Sequence, residues 1–148
     1  WKDIATWVDK YPGASTDVID QVNNPKGASF ATWMQNVGGS STLGQVSIES
    51  ATFRQTVNTL DQTKAERWLY WDTGSAQYAQ NFQFTTPNEM PVDQRCGKVV
   101  FSDMHVGGTN LPSGTFPSGC DTGALTPQEK ALAFMFFDIA SCVQVVVQ

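Results

Sequence analysis

Apolar positions change their period along this chain, and each change marks an element. Ile4, Trp7, Val8 and Tyr11 fall at i, i+3, i+4 and i+7, the spacing of one helical face. That spacing predicts a helix over residues 2–10, stopped by Pro12-Gly13. Ser15-Thr16-Asp17 reads as the cap of a short turn carrying Val18, Ile19 and Val22. Phe30, Trp33, Met34 and Val37 repeat the helical spacing over residues 28–37, with Gly38-Gly39 as a left-handed stop. From Gln45 the period falls to two, and Val46 and Ile48 alternate with polar neighbours as in a half-buried strand. Residues 53–60 continue or pair with that strand, and residues 67–71 and 81–85 predict two more, rich in aromatics. Residues 97–106 are apolar on both faces, as expected of a central strand covered on both sides. A Gly/Ser/Thr/Pro stretch over 107–125 is long enough to be functional or pinned by a crosslink. Thr126-Pro127-Gln128-Glu129 then forms a capping box with proline at the first helical position, opening a helix over 126–145.

Composition narrows the classes. The 148 residues fit one domain with a real core, at 41% hydrophobic and 16% charged. Nine basic against fourteen acidic residues leave a net charge of −5 and no basic stripe, which argues against nucleic acid and anionic membranes as partners. The apolar run 131–147 is broken by Asp138 and Gln144 and is too short to span a bilayer. The chain opens on Trp1 inside an apolar-periodic stretch, so its start reads as a processed or truncated end. Few lysines, abundant small polar residues and a loop cysteine point to a secreted or surface protein. The three cysteines show no C-x-x-C spacing, so one disulfide and one thiol are expected, with Cys96–Cys120 the favoured pair and Cys142 on a buried helix face. The spacing does not fix the connectivity, and three reduced thiols in a cytosolic protein is the alternative.

The chemistry-bearing residues are few. On an extended strand Asp103 and His105, the single histidine, would share a face. They could act as a base and its orienting carboxylate, or simply close the strand as a hydrogen-bonded pair. As metal ligands they make half a site, so neither metal nor cofactor is expected. Glu49, Glu66 and Asp72 have no spacing that makes them converge. Trp68 and Tyr70 alternate to one face and Trp71 to the other, a row that could stack sugar rings or serve as core. Trp1, Trp7 and Trp33 fit helix faces. No nucleophile elbow, Walker loop or dinucleotide fingerprint occurs.

Three segments carry a family resemblance. They are the aromatic strand and Thr-Thr-Pro of residues 82–87 running into Cys96-Gly97-Lys98-Val99-Val100-Phe101-Ser102-Asp103-Met104-His105-Val106, the loop Phe116-Pro117-Ser118-Gly119-Cys120, and the final helix from Leu125 to Val143. Together they resemble a domain of large bacterial secreted or surface proteins, itself similar to the class I glutamine amidotransferase-like fold. The resemblance implies an α/β, flavodoxin-like or partial amidotransferase-like three-layer architecture, a sheet with flanking helices. Residues 1–148 would be a single domain or the C-terminal part of a larger one, with His105 at the carboxyl edge of the sheet. The family's cysteine nucleophile sits on an upstream elbow that this chain lacks, and Cys96 does not match it. The expectation is therefore a non-catalytic extracellular surface or interaction module. Its partner would be another chain, the missing upstream segment or a polysaccharide. The alternatives are an amide or ester hydrolase using His105 and Asp103 with a nucleophile from elsewhere, and a carbohydrate-binding module.

Overall fold

The computed structural model describes residues 3–106 and 124–141. The described residues form seven strands and two α-helices. These are β1 (Ala5–Lys10), β2 (Thr16–Ile19), α1 (Gly27–Asn36), β3 (Gln45–Ser47), β4 (Gln55–Leu60), β5 (Glu66–Asp72), β6 (Gln77–Thr86), β7 (Gly97–Ser102) and α2 (Pro127–Ser141). Five strands form one sheet in the order β3-β2-β5-β6-β7, and β1 pairs with β4 in a separate ribbon. All of these pairings are antiparallel.

This topology overturns the flavodoxin-like expectation. Such a fold needs parallel strands joined by crossover helices; here β5 and β6 are joined by a turn at residues 73–76, and the described residues are β-rich, with two α-helices. The third layer is also different. Phe30, Ala31 and Met34 of α1 and Ala131 and Met135 of α2 pack on one face of the sheet against Ile19, Val46, Trp68 and Leu69. The opposite face is covered by the ribbon, with Ala5 and Val57 joining Ala79, Phe82 and Phe84. Phe82 stacks on Phe101 with centroids 4.9 Å apart.

Local signals held at the start of α2 and the end of α1. Thr126 Oγ1 accepts from the Glu129 N–H at 3.2 Å, and Glu129 Oε2 accepts from the Thr126 N–H at 2.8 Å, closing the capping box. At the end of α1, Gly38 takes φ +63°, its N–H donating to Gln35 O and that of Gly39 to Met34 O. Gly27 is required for packing: a Cβ there would lie 2.0 Å from the Asp20 carbonyl oxygen.

Elsewhere the elements differ from the sequence reading. Residues 5–10 form strand β1 instead of a helix, with Trp7 45% exposed and its ring 5.4 Å from Phe101. Ser15-Thr16-Asp17 caps no turn, since Thr16–Ile19 is strand β2. Strand β7 stops at Ser102, and among the described residues it pairs with β6 alone, at the sheet edge and half-buried throughout.

Candidate functional site

One end of the five-stranded sheet gathers polar and aromatic side chains in a way the opposite faces do not. There β2 begins, β5 ends, β6 begins and β7 runs out. Antiparallel pairing of Val18 with Tyr70 sets Asp17, one step on, against Trp71, while Trp71 pairs directly with Tyr78. The Trp71 and Tyr78 rings lie 5.6 Å apart at 31°, and Phe53 meets Trp71 edge-on at 5.6 Å. Both rings of the cross-strand pair are half-buried, so part of each remains open to solvent.

Asp17 is the anomaly of this end. In β2 it shares a face with Ile19, and it is completely buried with neither carboxylate oxygen hydrogen-bonded among the described residues. Burial, reinforced by the nearby negative charge of Asp103, pushes its carboxyl from the ordinary 3.8 to about 8. At neutral pH Asp17 is therefore mainly the neutral acid, which can donate a hydrogen bond that a carboxylate cannot. Asp103 follows the end of β7, its N–H donating to Gln80 O and its Oδ2 accepting from the Thr56 N–H at 2.7 Å. Burial raises the Asp103 carboxyl as well, with the Thr56 contact opposing the rise. The Gln80 Nε2 is buried without an acceptor among the described residues, so this end holds unspent donor and acceptor capacity from two strands.

The pair singled out by sequence is split. Because β7 ends at Ser102, the alternation that would put Asp103 and His105 on one face no longer applies. Asp103 turns to Thr56, while His105 is exposed and contributes its backbone oxygen to Gln128 Nε2 at 2.9 Å. No hydrogen bond joins Asp103 to the His105 ring among the described residues. Gln128 also accepts from the Glu49 N–H at 3.0 Å, so the first turn of α2 pins both flanking segments.

The aromatic row is rearranged by bulges in β5 at residues 67–70. They place Trp68 and Trp71 in the same helix-side core and turn Tyr70 the other way, under the Arg67 guanidinium at 3.9 Å. Trp68 is fully buried, edge-on to Phe30 at 5.7 Å, and belongs to the core. Of the three proposed stacking residues only Trp71 lies at the sheet end with a solvent-facing partner. Cys96 is an exposed free thiol, while Cys120 and Cys142 lie outside the described residues. Among the described residues no three His, Cys, Asp or Glu side chains converge on a metal position. No helix among them is long and apolar enough to cross a membrane.

Sequence reasoning missed Asp17 and Gln80. The available signal for Asp17 was its place in step with Ile19, a carboxyl at period two with a core residue. Searches of family models, curated proteins and solved structures find no match to this chain.

Proposed function

We propose that this chain is a non-catalytic extracellular binding module that takes a saccharide at the sheet end formed by Trp71, Tyr78 and Asp17. The observation that carries the reading is the half-open Trp71–Tyr78 ring pair seated beside a buried, protonated carboxyl. Sugar rings combine an apolar face with a hydroxyl rim, and a tilted aromatic pair supplies flat apolar area for the face. Exposed polar side chains at the same end, Asp72 and Gln77, suit the hydroxyls. An acidic chain without a basic stripe fits a neutral ligand better than a polyanion.

Titration with soluble neutral polysaccharides, followed by tryptophan fluorescence, tests this reading. The expected result is saturable quenching by at least one glycan, lost in Trp71→Ala and kept in Trp33→Phe. A flat response across neutral glycans removes it.

A hydrolase is the second reading, and the raised Asp103 carboxyl beside Asp17 favours it. It requires turnover of an amide or ester that disappears in Asp103→Asn; His105→Ala reports whether the histidine shares in it.

A further inference from the structure

The opposite end of the sheet holds a groove of about 520 Å³ between the β4–β5 turn and the segment leading into β7. Gln83, Glu66, Arg95 and Cys96 are among the residues that line it. Gln83 is the informative one. Its Nε2 donates to Glu66 Oε2 at 2.6 Å, which fixes the amide orientation, because a flipped amide would set two acceptors against each other. The Gln83 Oε1 is thereby left buried with no donor among the described residues, in a residue only 3% exposed. Such an orphaned acceptor calls for a partner.

The charges on the groove complete the pattern. Of the four charged side chains that line it, Lys64 pairs with Asp61 and Lys98 with Asp138, whereas Glu66 and Arg95 have no ion-pair partner among the described residues. Arg95 is held by Nε to Met90 O at 2.7 Å and by Nη1 to Thr85 Oγ1 at 3.2 Å, leaving Nη2 without a bond among the described residues. Glu66 stands opposite Gln83 in the β5–β6 register, and Thr85 is two residues further along β6. The unpaired anion and the anchored cation are thus separated by one two-residue step, roughly 7 Å along the strand. That is the span of an ammonium and a carboxylate on one small molecule, each with a hydrogen bond outward.

We propose that this groove binds a small zwitterion of the α-amino-acid class, its ammonium between Glu66 and Gln83 Oε1 and its carboxylate on Arg95. The site is separate from the saccharide end and stands whether or not that reading does. Its readout is separate too, since the groove contains no tryptophan.

The test is a two-dimensional amide NMR titration of the full chain with free amino acids, alongside their N-acetylated and carboxamide forms. Saturable shifts of the Gln83 side-chain amide and the Cys96 backbone by at least one free amino acid are expected, absent with both blocked forms. Arg95→Ala and Glu66→Gln should each weaken that binding about tenfold, the scale of one charged hydrogen bond, with the rest of the spectrum unchanged. Arg95 is half-exposed and Glu66 exposed, so neither change threatens the core. No shift with any free amino acid, or equal shifts with the blocked forms, overturns the proposal.

Discussion

Trp71 and Tyr78 are a directly opposed cross-strand pair, their rings 5.6 Å apart and inclined at 31°. A half-open aromatic pair of this kind contributes about 1 kcal/mol beyond its buried area. Tyr78→Ala should therefore lower stability by about 1–2 kcal/mol in urea unfolding and leave the chain folded at ambient temperature. A loss above about 4 kcal/mol would show that the pair is core and not a ligand shelf.

Asp17 predicts an unusual pH profile. Its folded pKa of about 8 lies above the ordinary 3.8, so the folded state prefers the protonated form. Stability from that preference is complete below about pH 4 and is lost as pH rises toward 8, by an amount on the order of 5 kcal/mol. Asp20 and Asp138 act oppositely. Burial pushes each up, but the Asn23 and Arg67 contacts of Asp20 and the Lys26 and Lys98 contacts of Asp138 outweigh it, holding both below the usual carboxylate range. Their contribution is present above that range and is lost in stronger acid. The melting temperature should accordingly peak on the acid side of neutrality and decline through pH 8, and Asp17→Asn should flatten the decline. A wild-type profile flat from pH 5 to 9 would contradict this.

The Asp20–Arg67 ion pair, 2.8 Å long and almost fully buried, should be costly to break from one side. Arg67 also donates to Gln77 Oε1 at 3.0 Å and lies over the Tyr70 ring. Asp20→Ala leaves that guanidinium buried beside no carboxylate and is expected to cost about 3–5 kcal/mol in chemical denaturation. A cost under 1 kcal/mol would mean that water reaches the site.

How far the sequence foresaw this molecule depends on the range of the deciding interaction. Both helices were legible, with the start of α2 and the end of α1, because Thr126 with Glu129 and Gly38 with Gln35 act within one turn. The strands of the middle third were legible from their alternation. Strand β1 was not: Ile4, Trp7, Val8 and Tyr11 fit a helical face by spacing, yet pairing with β4 decides the outcome. The bulges of β5 could not be foreseen either, since they arise from register with β6, and they moved Trp68 into the core and away from Tyr70. Asp17 was obscured by its neighbours Ser15 and Thr16, whose polarity suggested a cap. The pairing of Asp103 with His105 assumed a strand two turns of alternation longer than the one that forms.

Gln128 is expected to act as a tie between α2 and two distant segments. Its amide joins the Glu49 N–H to the His105 carbonyl, with bonds of 3.0 and 2.9 Å. Gln128→Ala should cost about 1–3 kcal/mol and accelerate amide hydrogen exchange at Glu49. Unchanged exchange at that amide would show the tie to be dispensable.

The most direct test of the central claim is isothermal titration of the wild-type protein and Trp71→Ala with a panel of neutral polysaccharides. The account predicts saturable heat with at least one glycan for the wild type, and none for a Trp71→Ala protein that still unfolds cooperatively. Binding that survives in Trp71→Ala, or its absence from the wild type throughout the panel, would contradict it.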